Sequence, residues 1–191
     1  RAIVVESVYD EVLAKVKEKV EKLIIGTPEE NAYVGPVSSE RSIKKVLEMI
    51  EVGKSEGKLI TGGKRVEGKN GYFVHPTIFS DIKPDGRLAQ EEIFGPVLSF
   101  IKAKDFDDAI EIANNTKFGL TGAIYSQNVE KLQKGAEKFF VGNLYLNRKC
   151  TGALVGAHPF GGFNMSGTDS KAGSKDYLQL FLQAKMTSKK I

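Results

Sequence analysis

Val97-Leu98-Ser99-Phe100-Ile101-Lys102 is a short, mostly apolar run, and it is followed at once by residues 106–114, in which Ala109, Ile110, Ile112 and Ala113 are apolar. The first stretch has the length and composition of a strand, and the second has the length of a helix. The alternation repeats downstream. Residues 121–125 read as a strand, Asn128 as the cap of a helix reaching Phe139, Gly142 as a stop, and residues 143–146 as a further strand. Strands that alternate with helices are joined by crossovers and therefore lie parallel. The expected fold class is α/β: a mostly parallel sheet flanked by helices.

Upstream the same logic continues. Ala2-Ile3-Val4-Val5 suits a buried parallel strand. Val8, Val12, Val16, Val20 and Leu23 recur at helical spacing and predict an amphipathic helix ending near Gly26. Ser38 or Ser39 is placed to cap a second helix that buries Ile43, Val46, Leu47 and Ile50. Residues 53–71, rich in Gly and Lys, read as a surface hairpin, with residues 58–61 and 72–79 as strands. This stretch lacks the GxxxxGK[ST] spacing that wraps backbone amides around a phosphate.

Downstream, residues 150–173 break the alternation, and Gly152, Gly156, Gly161, Gly162, Gly167 and Gly173 punctuate them. An irregular segment of that length inside a domain is usually functional. The tail carries Leu178, Leu180, Phe181 and Leu182 and is expected to form a strand reaching toward a partner sheet. Residues 1–176 then read as the main body of the chain, and residues 177–191 as a C-terminal tail. The chain starts without Met, directly in a strand, which suggests a cut in a longer polypeptide.

Composition removes several classes of function. With 41% hydrophobic residues, the chain has enough apolar surface to offset the entropy of folding, so wholesale disorder is excluded. The net charge of +4 is dispersed, with lysines and glutamates alternating between Lys15 and Lys22 as on a solvated helix face. Nucleic-acid binders concentrate positive charge and add aromatics to it, so DNA and RNA are not expected partners. No apolar run approaches the roughly 20 residues that cross a bilayer, so no membrane role is expected. The single cysteine, Cys150, allows no internal disulfide, and together with two histidines, His75 and His158, it makes no metal centre. A lone thiol fits a reducing cytoplasm.

Residues with chemistry remain. Cys150 has Arg148 and Lys149 beside it and His158 eight residues on. A thiol nucleophile needs such a base or cation, yet a free cysteine is more often a small buried or half-buried residue. His158 and His75 read as satisfied loop and strand residues. Glu91 and Glu92 precede Ile93-Phe94-Gly95-Pro96. At the carboxyl edge of a parallel sheet, an acid is placed to accept hydrogen bonds from ribose hydroxyls and a nearby Phe to pack on a flat ring. A solvated acidic turn with a core Phe explains the same residues equally well. Pro159-Phe160-Gly161-Gly162-Phe163 permits close backbone approach, and Thr151-Gly152-Ala153 offers amides to a carboxylate.

Three segments together resemble the aldehyde dehydrogenase superfamily: residues 90–97 (QEEIFGPV), 142–147 (GNLYLN) and 159–162 (PFGG) followed by Ser166-Gly167. Their order and separations match as well, and the likeness spans essentially the whole chain. Residues 150–156 and 170–173 look like a branch whose aldehyde carries an α-amino acid group. The resemblance implies that Glu92 hydrogen-bonds the nicotinamide ribose of NAD (or NADP) and that Phe94 packs on the nicotinamide. It also implies that the backbone amides of Gly152 and Ala153 hold the substrate carboxylate, with Phe160 along its aliphatic chain. The catalytic cysteine, the general-base glutamate and the dinucleotide-binding portion are implied to lie upstream, which leaves no catalytic residue here. The resemblance implies that residues 1–176 are one catalytic-domain portion and that residues 177–191 are a C-terminal oligomerisation tail joining a homo-oligomer. A fragment of another semialdehyde dehydrogenase, a stand-alone interaction or ligand-binding module, and a cysteine hydrolase built on Cys150 and His158 are the competing readings.

Overall fold

The apolar run at residue 97 becomes β4 (Val97–Ala103), which pairs in parallel with β1 (Ala2–Val5) on one side and β3 (Thr77–Ser80) on the other. An edge strand, β2 (Lys58–Thr61), pairs antiparallel with β3, giving the order β1-β4-β3-β2. Successive side chains of β4 enter opposite faces of the sheet. Phe100 packs with Tyr9 and Ile78, whereas Ile101 packs with Ile43, Val46, Met49 and Ile50. One strand therefore feeds two cores, as a parallel sheet covered on both faces requires.

This is a computed structural model that describes residues 1–151, 154, 156–167 and 173–191. The chain forms two units, Arg1–Ile112 and Ala113–Ile191. In the first, α1 (Tyr9–Glu21) lays Val12, Leu13, Val16 and Val20 against the Phe100 face. It stops at Glu21, a turn before the expected Gly26. The second helix, α2 (Glu40–Glu56), covers the other face and is capped by Ser39, whose Oγ accepts from the amide of Ser42 at 3.1 Å. Burial of Val46, Met49 and Ile50 stabilises the unit by about 1.5–3 kcal/mol each. Near its end, Gly53 lets the Phe79 ring approach to where a Cβ would be 2.6 Å away.

The expected strand at residues 72–79 pairs as a β-strand of the sheet over Thr77–Ser80 alone. Pro76 has no N–H to give to a ladder, and Val74 makes an isolated bridge with Arg65 instead. Between β3 and β4 lies the short α3 (Arg87–Gln90). Its first amides, of Arg87 and Leu88, both donate to the carboxylate of Glu56 at 2.9 Å, so the end of α2 caps α3. After β4, Asp105 accepts from the amides of Asp107 and Asp108 and starts α4 (Phe106–Asn114).

The second unit is built on a β-α-β crossover. β6 (Thr121–Ile124) pairs in parallel with β7 (Asn143–Leu146), and α5 (Val129–Lys138) joins them. Asn128 caps α5 as expected, its Oδ1 accepting from the Lys131 amide at 2.9 Å. A two-residue antiparallel pair, β5 (Phe118–Gly119) with β8 (Phe163–Asn164), closes the unit. The α/β, mostly parallel reading holds. The tail differs from expectation: residues Lys175–Phe181 form a 3-10 helix, and no strand follows among the described residues. A strand needs a neighbouring ladder for its amides and carbonyls, and a local 3-10 turn satisfies some of them without one.

Candidate functional site

Residues 91–96 connect α3 to β4 and are held along their length. Glu91 pairs with Arg87 at 2.8 Å. Lys45 Nζ, on α2, donates to the carbonyl oxygen of Glu92 at 2.5 Å. Ile93 packs onto the main core. Gly95 lies so close to α2 that a Cβ would be 2.4 Å from Val46 Cγ2. The Thr77 amide donates to Pro96 O at 2.8 Å. Between these grips Phe94 has φ +56° and is 78% exposed.

Both features of Phe94 are unfavourable in isolation. A left-handed conformation costs a residue with a Cβ about 1–2 kcal/mol, and an exposed phenyl ring forgoes burial. Such strain persists where the surroundings impose it, commonly at ligand sites. The Glu92 carboxylate is exposed two residues away. The loop thus offers an acid that can accept hydrogen bonds from hydroxyls and an aromatic face for a planar ring. Phe94 is not part of the core of its own unit. One expectation is corrected: the loop leads into β4 and so sits at the amino end of that strand, not at the carboxyl edge of the sheet.

In the second unit the glycine motifs interlock. A Cβ on Gly142 would stand 2.0 Å from Gly161 O, one on Gly162 would stand 2.6 Å from Ser166 O, and one on Gly167 would stand 2.5 Å from Gly162 O. The Gly119 amide donates to Ser166 Oγ at 3.0 Å. Asn143 Nδ2 donates to Leu120 O at 3.0 Å and to Gly161 O at 2.8 Å. The segments 142–147, 159–162 and 166–167 are therefore one packed backbone cluster, which explains their spacing in the sequence. Phe160 stands at its margin, 36% exposed, and Phe140 and Phe163 stack at 4.6 Å.

Gly152 and Ala153 lie outside the described residues. Cys150 is exposed, contrary to its reading as a buried or half-buried thiol. His158 is a satisfied loop residue, as expected: its Nδ1 accepts from the Leu154 amide at 3.3 Å and its own amide donates to Leu154 O at 2.7 Å. Among the described residues no group of three His, Cys, Asp or Glu side chains could hold a metal ion. No helix in the described residues is long and apolar enough to cross a membrane.

Sequence reasoning assigned no role to Lys45, Asn143, Asn114 or Asn147. Asn147 (φ +54°) uses both ends of its amide on one residue, accepting from the Ser126 amide and donating to Ser126 O, each at 2.9 Å. Asn114 bonds Lys138 O and the Phe140 amide in the same manner, both at 2.8 Å. The signal available was an asparagine where a strand or helix ends, a position suited to this side chain by its ability to stand in for a peptide group.

The sequence model of the aldehyde dehydrogenase family matches residues 1–187. The chain is 58% identical to the 1-pyrroline-5-carboxylate dehydrogenase of Anoxybacillus flavithermus over 98% of its length, which is 36% of that relative. A solved structure of 1-pyrroline-5-carboxylate dehydrogenase from Thermus with bound NAD superposes with a TM-score of 0.92 at 54% identity, over 95% of this chain and 35% of that one. The betaine aldehyde dehydrogenase of Staphylococcus aureus, in complex with NAD+, gives a TM-score of 0.89 at 30% identity, over 96% of this chain and 37% of that one. The chain thus spans about a third of the length of these relatives. With a family match along nearly all of its residues, the chain belongs to the aldehyde dehydrogenase family.

Proposed function

We propose that the chain is part of an NAD-dependent dehydrogenase that oxidises L-glutamate γ-semialdehyde to glutamate, the closing step of proline catabolism. Residues 1–176 are its catalytic-domain portion. The observation that carries the reading is Phe94, an aromatic ring held exposed in a left-handed conformation beside the exposed Glu92. The choice of aldehyde is supported by 54–58% identity to dehydrogenases named for 1-pyrroline-5-carboxylate.

NAD, or NADP, when bound, accepts the hydride lost by the substrate. Glu92 accepts hydrogen bonds from the nicotinamide ribose, and Phe94 packs on the nicotinamide ring. The backbone amides of Gly152 and Ala153 donate to the α-carboxylate of the aldehyde, and Phe160 lines its aliphatic chain. This chain contributes those contacts, while the thiol nucleophile and the general base belong to the remainder of the enzyme, including the dinucleotide-binding portion. Cys150 takes no part in the chemistry. The tail, with Tyr177, Leu178, Phe181 and Leu182 exposed, joins a homo-oligomer, and the single thiol suits the cytoplasm.

The test is NADH formation. The enzyme containing this segment reduces NAD with Δ1-pyrroline-5-carboxylate and prefers it to simple aliphatic aldehydes, and the 191-residue chain alone gives no turnover. Equal activity on aliphatic aldehydes overturns the substrate, and turnover by the isolated chain overturns the division of labour.

A further inference from the structure

We propose that Asn143 is a positioning residue that sets substrate selectivity by fixing the direction in which Phe160 is presented. The inference rests on the reading of Phe160 as a wall of the aldehyde site.

Phe160 is followed by Gly161 and Gly162, and consecutive glycines are the least constrained backbone a chain can have. Glycine is nonetheless required at 162, because the Ser166 carbonyl lies 2.6 Å from where a Cβ would stand. The same packing that demands glycine therefore leaves the chain beside Phe160 without intrinsic stiffness. Asn143 supplies it. The two protons of its side-chain amide are divided between Gly161 O at 2.8 Å and Leu120 O at 3.0 Å. Leu120 O also accepts the main-chain amide of Asn143 at 3.0 Å. The Gly161 carbonyl is thus tied to the first residue of β7, and it fills the place that a Cβ on Gly142, immediately before that residue, would need. On the far side, Ser166 Oγ holds the Gly119 amide, so the return of the loop is fixed independently. Asn143 is half-buried within its unit, and its hydrogen bond to the loop at Gly161 O is a geometric constraint, not a contact with a reacting atom.

The experiment uses the full-length enzyme. Asn143→Asp keeps size and removes both donors. It is expected to raise KM for glutamate semialdehyde roughly tenfold, since small misplacements of positioning groups have effects of this order. KM for NAD stays unchanged, and kcat/KM for an unsubstituted aldehyde such as propanal changes less than about twofold, so the selectivity ratio falls. A loss of general structural integrity would lower all three together. Asn143→Ala, which removes the same donors without adding charge, gives the same fall in the ratio and replaces the first variant if that one does not fold. An unchanged ratio in a folded variant, or an equal loss for both aldehydes, overturns the role of Asn143. A wild-type enzyme without preference for the amino acid aldehyde overturns instead the substrate reading, and this role with it.

Discussion

Lys45 reaches across 47 residues of sequence to place its ammonium 2.5 Å from the carbonyl oxygen of Glu92. Its neighbour Val46 meets Gly95 three residues further along the same loop. Two adjacent positions of one helix thus grip both ends of the Glu92–Gly95 segment. In the complete enzyme, Lys45→Met is expected to raise KM for NAD about three- to tenfold, with kcat less affected, because the loop loses an anchor and no reacting group. Steady-state kinetics with NAD varied checks this, and Lys45→Arg should retain most of the wild-type value.

Phe94 sets a cost in stability against the cofactor contact proposed for it. Glycine takes φ +56° without the penalty carried by a Cβ, and the exposed ring contributes little burial. Phe94→Gly is therefore expected to stabilise the chain by up to about 1 kcal/mol in urea unfolding. The same change should weaken NADH binding by the complete enzyme at least tenfold. A variant that is destabilised by a kilocalorie or more would show that the ring packs within the protein after all.

Gly142 and Gly35 differ widely in the room around them. Gly142→Ala would set a Cβ 2.0 Å from the Gly161 carbonyl, so it should cost about 3 kcal/mol or more, as severe overpacking does. Gly35 has nothing within 4 Å of a Cβ, and Gly35→Ala should stay within about 0.5 kcal/mol of wild type. Chemical denaturation of both variants gives the comparison directly.

Tyr9 makes folding sensitive to alkali. Its phenol is held above the usual tyrosine range chiefly by burial, with Asp81 and Asp10 adding repulsion against the opposing Asp81 amide hydrogen bond. The hydroxyl accepts that hydrogen from Asp81 at 3.1 Å and points toward Phe100 O at 3.5 Å. With the folded value raised, the native state retains a proton that the unfolded chain has lost. Stability is full below about pH 10, the ordinary tyrosine value, and falls as pH climbs through and beyond it. Unfolding midpoints measured across that interval should decline, and Tyr9→Phe should flatten the decline while lowering stability at neutral pH.

Much of this architecture could be read in advance, for identifiable reasons. Val97-Leu98-Ser99-Phe100-Ile101-Lys102 is apolar on both faces, so a central strand was legible. Asn128 and Ser39 are caps whose side chains act within three residues. Features that depend on distant partners were not legible. Nothing local tells that Lys45 meets Glu92, that Asn143 meets Gly161, or that Glu56 caps α3. The position of Glu92 at the amino end of β4 follows from the order of loop and strand, whereas the general rule for ligands at parallel sheets points to the opposite edge. The tail at residues 177–191 carries apolar residues at spacings that suit a strand or a tight helix, and pairing, which sequence does not contain, decides between them.

Asn114 and Asn147 each turn a primary amide toward the backbone of a neighbouring segment and bond it through both oxygen and nitrogen. In effect the fold borrows two extra peptide groups from its side chains. An aspartate there would bring an oxygen against a carbonyl oxygen, and a glutamine would overshoot by a methylene. Hydrolytic loss of ammonia from either amide during prolonged storage would therefore undo a connection between strand and helix ends without breaking the chain, a form of ageing to which these two positions expose the molecule.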